Sequence, residues 1–229
     1  MNIKIDSLLS GAQKACGVTV IIDVFRCFTT EAVAFRNGAE KIILVSEIAQ
    51  AISLRKEGYG DILVGEVGGI KPASFDYGNS PSQLAPDDFT GKTLIHSTRA
   101  GTVGVNAAVN ADIIYGGSFA IAKATVKLIK RLNPDIVSLV AMGLEGKVRT
   151  DEDEQCALYL RNLLQGRNPS QESVKSLVMS CEESEKYVDS TLPQWPVEDR
   201  DMALDIDSHD FGILIKKEND LLTAYPDRV

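Results

Sequence analysis

The chain has 229 residues, of which 44% are apolar and 24% charged, with a formal net charge of -8 and a pI near 4.9. This composition is typical of a folded protein, and so acidic a chain lacks the broad basic surface that nucleic-acid binding needs. No apolar run approaches the ~18 residues of a membrane span, and the N-terminus lacks the apolar core of a signal peptide. Four widely spaced cysteines without a CxxC pair favour a reduced compartment. We therefore expect a cytoplasmic protein with no nucleic-acid or membrane partner. The sequence leaves the oligomeric state open and is compatible with a homo-oligomer.

Short apolar runs alternate with helical patterns along the chain, most regularly in its first two thirds. Runs rich in β-branched residues predict strands at positions 18–22, 41–45, 61–65, 93–95, 112–115 and 135–141. Helical periodicity predicts helices at 29–37, 47–57, from 102, 118–132 and 151–164. Ser118 is the predicted N-cap of the fourth helix. The tail after Gly166 is less regular, with a helix near 171–181 and a hairpin at 213–225.

Strands that alternate with helices favour an α/β fold. Such a chain builds a three-layer sandwich around a mostly parallel central sheet, with a mixed sheet as the alternative. No repeat, low-complexity tract or linker interrupts the pattern, which predicts one domain over residues 1–229. In sheets of this type the ligand site lies beyond the carboxyl ends of the strands. The residues that follow the strands are therefore the candidate site residues.

Several common catalytic motifs are excluded. Gly91-Lys92-Thr93 resembles the end of a P-loop, but Pro86 stands where that motif requires glycine. Phe25 stands where an aspartyl-phosphate motif would place its second aspartate, and no glycine-rich dinucleotide fingerprint follows the first predicted strand. The chemistry must therefore come from other groups.

The first candidate segment follows the strand at 18–22. Asp23 lies at the strand end, Arg26 follows three residues later, and Thr29 and Thr30 open the next helix. A guanidinium group presents a planar fork suited to phosphate, sulfonate or carboxylate. The alternative is that Asp23 caps the helix and Arg26 pairs with Asp23.

The second segment is the connection at 65–81. It is too long for a plain turn, and loops of this length are often functional. Glu66 follows a strand and offers oxygen ligands to a metal ion, while Asn79 and Ser80 offer neutral hydrogen bonds. The alternative is an ordered surface loop whose glycines serve turns.

The third segment joins a predicted strand to a helix at 97–102. Hydroxyl groups, a glycine and a helix N-terminus together favour an anion, because free N–H groups point out of the first helical turn. The residues concerned are Ser97, Thr98, Arg99, Gly101 and Thr102. The alternative is an ordinary N-cap with Arg99 in solvent.

The fourth segment is a run of four carboxylates, 151–154, that opens an apolar helix. One interpretation is a solvated face that complements the helix dipole. The other is a set of oxygen ligands for Mg²⁺, which needs one or two carboxylates besides water and substrate oxygens. The four segments bring acidic groups and two arginines to one predicted edge. Metal-assisted phosphoryl chemistry needs this mixture.

At these residues the chain resembles the 2-phosphosulfolactate phosphatase family. The shared motifs are Asp-x-x-Arg followed by threonines at 23–30, Gly-Glu-x-Gly-Gly at 65–69, Phe-Asp-x-Gly-Asn-Ser-Pro at 75–81, Ser-Thr-x-x-Gly-Thr at 97–102 and Glu-Asp-x-x-Cys-Ala at 152–157. Two departures stand out. The family usually has asparagine directly before the turn glycine, where this chain has Ala100, and alanine where this chain has Cys27.

The resemblance implies Mg²⁺-dependent hydrolysis of a small phosphorylated organic acid, 2-phosphosulfolactate, to sulfolactate and phosphate in coenzyme M biosynthesis. The expected metal ligands are Asp23, Glu66, Glu152 and Asp153, and the expected catalytic residues are Asp23, Arg26 and Glu66. The expected substrate contacts are Arg26, Asn79, Ser80, Ser97, Thr98, Arg99, Gly101 and Thr102.

Three alternatives stay open from the sequence. Attack on phosphorus comes either from metal-held water or from Asp23 as a covalent nucleophile. The alternative substrate is another 2-phospho acid, such as phosphoglycolate or phospholactate. A non-enzymatic binding module for a small dianion is the alternative from a different class.

Overall fold

One sheet of nine strands, with helices on both faces, organises residues 1–229 in the computed structural model. The strands are β1 (Asn2–Ser7), β2 (Gly17–Ile22), β3 (Lys41–Val45), β4 (Ile62–Gly65), β5 (Thr93–Ser97), β6 (Ala111–Gly117), β7 (Ile136–Ala141), β8 (Phe211–Glu218) and β9 (Leu221–Arg228). The helices are α1 (Leu8–Lys14), α2 (Cys27–Arg36), α3 (Ile48–Lys56), α4 (Pro81–Leu84), α5 (Gly101–Ala107), α6 (Ala122–Leu132), α7 (Asp151–Leu164), α8 (Gln171–Met179), α9 (Glu182–Glu185) and α10 (Val197–Ala203).

The α/β architecture predicted from the alternating pattern is confirmed, with a mixed, mostly parallel sheet. Every predicted strand is present, and β3 has the predicted bounds. The C-terminal hairpin is also present as β8 and β9. Alternate side chains of β2 pack on opposite faces, since Ile21 belongs to one core cluster while Val20 and Ile22 belong to another. Burial on both faces explains why these strands read as continuous apolar runs.

Two local features differ from the sequence-based expectations. The pattern predicts neither β1 nor α1, because β1 alternates exposed and half-buried residues at one end of the sheet. The predicted capping by Ser118 is wrong. Its hydroxyl makes no capping hydrogen bond and is buried without a partner. A 3₁₀ turn at Phe119–Ile121 follows it, and α6 begins only at Ala122.

The strands fall into two parallel sets joined by an antiparallel hairpin. β1, β7, β2 and β6 run parallel to one another, as do β3, β5 and β4. β8 and β9 lie between the sets and pair antiparallel with each other, with β6 and with β3. Three successive antiparallel pairings make the two sets run in opposite senses along the sheet. The segments that follow β2 and β5 nevertheless meet, since the Gly101 N–H lies 2.8 Å from an Asp23 oxygen.

Helices cover both faces of the sheet. On one face, buried residues of α1, α2 and α5 pack on the sheet in one core cluster. On the other face, α6, α7 and α8 contribute to a second cluster. None of the helices combines the length and the apolar character that crossing a membrane requires.

Candidate active site

The carboxyl ends of the two parallel sets meet at one cavity of about 150 Å³. A volume of about this size accommodates benzene in another protein. Its lining includes Asp23 after β2, Glu66 after β4 and Asp153 in the first turn of α7. Residues 181–199, which we call the C-terminal segment, contribute Glu183, Lys186 and Trp195 to the lining. The cavity therefore draws on parts of the chain that lie far apart in sequence.

Asp23 is held by two backbone N–H groups. Its Oδ1 accepts a hydrogen bond from the Cys27 N–H at 3.1 Å, and its Oδ2 accepts one from the Gly101 N–H at 2.8 Å. The two donors belong to the first residues of α2 and α5. Hydrogen bonds from N–H groups stabilise the charged carboxylate. Asp23 therefore ties the two parallel sets together and is fixed in orientation.

Asp153 is held in the same way. Its Oδ1 accepts from the Val24 N–H and its Oδ2 from the Gly143 N–H, both at 2.8 Å. Glu152 and Asp153 are buried, whereas Asp151 is exposed. The solvated-face interpretation of the acidic run therefore fails for the two residues that the sequence proposed as metal ligands.

Glu66 repeats the pattern with a third pair of amides. Its Oε2 accepts from the Gly69 N–H at 2.7 Å, and its Oε1 accepts from the Arg99 N–H at 2.9 Å. Gly69 has a φ of +79°, and a Cβ there would lie 2.2 Å from the ring of Trp195. Glycine is therefore required at this position both for the backbone conformation and for the close approach of the indole.

Four buried carboxylates line the cavity, and we call them the acidic wall: Asp23, Glu66, Glu152 and Asp153. Burial raises the pKa of Asp23 to about 6 and that of Glu152 to about 7. It also raises the pKa of Asp153 well above its ordinary value, and the charges of Glu152 and Asp23 add to the effect. A bound cation would compete with these protons, because it stabilises the charged carboxylates.

The oxygens of the cavity fit a hard divalent cation. Glu152 Oε2 and Asn79 Oδ1 are both buried and without a hydrogen-bond partner, although both residues line the cavity. A buried acceptor that lacks a donor is costly. Mg²⁺ takes oxygen ligands from carboxylates and amides, so the donor set suits this ion.

Arg26 pairs with the C-terminal segment. Its Nη1 lies 2.6 Å from Asp199 Oδ2 and 3.0 Å from the Gln194 carbonyl oxygen. Its guanidinium lies 4.3 Å from the ring centroid of Trp195. The alternative that pairs Arg26 with Asp23 is therefore wrong. The same alternative also predicted that Asp23 caps the helix, and this agrees with the structure, since Asp23 accepts a hydrogen bond from the first N–H of α2.

Asp199 also fixes the loop before α4. This fully buried carboxylate accepts hydrogen bonds from Ser80 Oγ at 2.8 Å, from the Ser82 N–H at 2.9 Å and from Ser82 Oγ at 2.6 Å. Asn79 and Ser80 are buried as a result. The connection that precedes α4 is therefore anchored under the C-terminal segment at this point.

The turn between β5 and α5 donates its N–H groups to the protein itself. The Thr98 N–H donates to Thr102 Oγ1 at 3.0 Å, and the Thr102 N–H donates to Thr98 Oγ1 at 3.2 Å. The N–H groups of Arg99 and Gly101 are taken by the acidic wall. Ser97 is buried away from the cavity lining. What the turn presents to the cavity is the Arg99 side chain, whose guanidinium has no protein partner.

Four residues of the C-terminal segment escaped the sequence reasoning. Glu183, Lys186 and Trp195 line the cavity, and Asp199 lies beneath Arg26. None of them directly follows a strand, so the rule that places a ligand site beyond the carboxyl ends of the strands does not identify them. The one available signal is the only tryptophan of the chain, placed in a polar tail beside a proline.

A second buried polar cluster adjoins Asp23 without lining the cavity. His96 Nδ1 lies 2.9 Å from Glu31 Oε1, and the Cys27 Sγ lies 3.6 Å from the same oxygen. Burial raises the pKa of the Cys27 thiol well above its ordinary value, and the Glu31 charge adds to this. The thiol therefore stays protonated and is no nucleophile.

Comparison with known proteins agrees with the residue-level resemblance. The family model described as 2-phosphosulpholactate phosphatase matches residues 4–192. A Bacillus subtilis (strain 168) protein named probable 2-phosphosulfolactate phosphatase is 31% identical over 211 residues, 90% of each chain. A protein of the same name from Carboxydothermus hydrogenoformans is 42% identical over 145 residues, 63% of this chain and 59% of that relative. The chain thus belongs to the 2-phosphosulpholactate phosphatase family, whose members are phosphoric monoester hydrolases.

Proposed function

We propose that the protein is a Mg²⁺-dependent phosphatase for small 2-phospho acids, with 2-phosphosulfolactate as the first candidate substrate. The observation that carries the proposal is the acidic wall, in which backbone amides orient buried carboxylates toward a cavity of about 150 Å³. The family assignment favours an enzyme over a non-enzymatic binding module. The free cysteines and the acidic surface suit a cytoplasmic enzyme.

A cation is needed because the protein and its substrate are both anionic. With a net charge of -8, the average field repels a phosphorylated acid. Asp23, Glu66, Glu152 and Asp153 would hold Mg²⁺, with Asn79 Oδ1 as a further oxygen. When bound, the ion supplies positive charge that offsets the wall and stabilises the phosphoryl oxygens.

The protein's own residues bind and orient the substrate. Arg99 offers an uncommitted guanidinium to an acid or phosphoryl oxygen, while Arg26 contributes positive charge from a fixed position. Both oxygens of Asp23 accept hydrogen bonds, which lowers their nucleophilicity. We therefore favour in-line attack by water. The new O–P bond forms as the ester O–P bond breaks, and the proton lost by water balances the one gained by the leaving alkoxide.

The test is phosphate release from 2-phosphosulfolactate, 2-phospholactate and phosphoglycolate, with Mg²⁺ and with EDTA. We expect metal-dependent release that is fastest with 2-phosphosulfolactate, which would support a role in coenzyme M biosynthesis. Another preferred acid would keep the chemistry and change the substrate. Release that is unaffected by EDTA would contradict the metal proposal, and no release from any of the three would contradict the function.

A further inference from the structure

Lys186 places an ammonium group at the cavity from the C-terminal segment. Its Nζ lies 4.2 Å from the ring centroid of Trp195 and 5.7 Å from that of Tyr187. Its one ion-pair partner is Glu183, one helical turn earlier, which lines the cavity as well. The two side chains are 19% and 23% exposed, so a ligand in the cavity can reach them.

The three cations of the cavity differ in how far the protein already uses them. Arg26 is bound by Asp199 and a backbone carbonyl. Arg99 has no protein partner. Lys186 lies between these cases, because an ammonium has three N–H donors and Glu183 is its only hydrogen-bond acceptor in the structure. Two donors remain for a ligand.

Lys186 forms no ion pair with any carboxylate of the acidic wall. Glu152 is the member of the wall on which the Lys186 charge acts, whereas Asp23, Glu66 and Asp153 accept hydrogen bonds from backbone amides of other loops. The phosphoryl group of a substrate must approach the wall, since the cation proposed there binds phosphoryl oxygens. An ammonium held on the C-terminal segment therefore suits a different anionic group of the same molecule.

We infer that Lys186 binds the acid group of the substrate other than its phosphate, and that Glu183 holds the ammonium until this group replaces it. The inference rests on the proposed function and names the substrate class: phospho acids with at least one further carboxylate or sulfonate. The indole face of Trp195 stabilises the ammonium in both situations. The ligand anion takes the place of the Glu183 carboxylate beside the ammonium, so Lys186 has one anionic partner in both situations.

The test measures inhibition of the Mg²⁺-loaded enzyme by dephosphorylated acids. Sulfolactate, lactate and 2-hydroxyethanesulfonate serve as probes that carry both acid groups, the carboxylate alone and the sulfonate alone. Lys186→Met should weaken inhibition by sulfolactate by about tenfold or more, as expected for loss of a charge-assisted contact, and should change inhibition by inorganic phosphate by less than about threefold. Loss with lactate identifies the carboxylate as the bound group, and loss with 2-hydroxyethanesulfonate identifies the sulfonate.

Matched variants separate this role from a structural one. Lys175→Met removes an exposed lysine of the neighbouring helix α8 and should leave every inhibition constant unchanged. Glu183→Gln should lower KM for the phospho acid by about threefold or more, because a neutral amide competes less for the ammonium. Glu182→Gln, on the exposed side of the same short helix, is its control.

Three results would overturn the inference. The first is unchanged inhibition by sulfolactate in Lys186→Met, and the second is equal weakening of sulfolactate and phosphate inhibition in that variant. The third is an unchanged or raised KM in Glu183→Gln. Each result differs from failure of the proposed function, in which the wild-type enzyme itself would release no phosphate from any 2-phospho acid.

Discussion

The acidic wall and the C-terminal segment line the same cavity, but different kinds of contact hold them. In the wall, Asp23, Glu66 and Asp153 each accept two backbone N–H bonds. In the C-terminal segment, the contacts are between side chains. The ring of Trp195 contacts two cations, and Asp199 accepts hydrogen bonds from a guanidinium and from two serines.

This difference has consequences for mutation. Backbone amides persist whatever side chain is replaced, so changes in the wall should alter chemistry more than folding. Where both partners of a contact are side chains, a substitution in one leaves the other without its partner. Substitutions of the residues that anchor the C-terminal segment should therefore alter folding and activity together.

The largest effect is expected from Asp23→Asn. The variant loses the charge that faces the cation site and keeps the size of the side chain, but its amide nitrogen cannot accept an N–H, so one of the two backbone donors loses its acceptor at a cost of about 1–3 kcal/mol. Phosphate release should fall by about 10³-fold or more, while the melting temperature should fall by about 5 °C, less than for the loss of a buried ion pair. Asp112→Asn, at an exposed position of β6, is the control. Near-wild-type turnover would contradict both the ligand and the nucleophile roles of Asp23.

Asp199→Asn should affect stability and activity together. It leaves the buried guanidinium of Arg26 without its charge partner, and breaking such a pair costs about 3–5 kcal/mol. At about 2–4 °C per kcal/mol for a chain of this size, the melting temperature should fall by about 10 °C. kcat/KM should fall by about tenfold or more because Asn79 and Ser80 lose their anchor. Asp201→Asn, at an exposed position, should change neither quantity, and a stable but inactive Asp199→Asn would contradict the contrast.

The wall also predicts how pH and Mg²⁺ act on stability. Burial raises the pKa of Asp23 from 3.8 to about 6 and that of Glu152 from 4.5 to about 7. Their contribution to stability is therefore present below about pH 4 and is lost as the pH rises through 6 to 7. Without metal, the loss of this contribution should make the melting temperature lower at pH 8 than at pH 5.

Added Mg²⁺ should reverse this loss, because it binds the charged carboxylates. We expect a rise in melting temperature of about 5 °C or more at pH 8 with millimolar Mg²⁺, and a much smaller rise at pH 5. Differential scanning fluorimetry with Mg²⁺ and with EDTA measures both. Asp23→Asn should reduce the response to Mg²⁺, and an equal response at both pH values would contradict the proposed ligand role of the wall.

The smallest effect is expected from Cys27→Ala. The thiol is buried and protonated, and its weak contact with Glu31 is worth about 1 kcal/mol or less. Its backbone N–H, which holds Asp23, is unaffected by the substitution. Phosphate release should stay within about threefold of wild type. A loss of 100-fold or more would show that the thiol takes part in the chemistry.

Much of the wall was predictable from sequence because the strand-end rule depends only on local patterns. Continuous apolar runs identify β2, β4, β5 and β7, and polar residues directly after them must lie at the edge of the sheet. The same logic predicted helix α7 with its acidic first turn, and Glu152 and Asp153 do line the cavity.

The partners of these residues were not predictable in the same way. Sequence shows that the turn before α5 has N–H groups to offer, but not that Asp23 and Glu66 accept them. The pairing of Arg26 with Asp199 spans 173 positions and leaves no periodic signal. The sequence also does not show that the two parallel sets run in opposite senses, because this depends on the position of β8 and β9 in the sheet.

The position of β8 and β9 bears on how the protein is made. The two strands join the parallel sets, yet a ribosome adds them after all seven of the other strands. Until residues 211–228 have emerged, β6 and β3 lack their antiparallel partners, and the halves of the active site have no strand to connect them. A chain terminated before the hairpin would thus present unpaired strand edges, which are typical of aggregation-prone intermediates. Catalytic competence is in this sense reached only by chains translated through the hairpin.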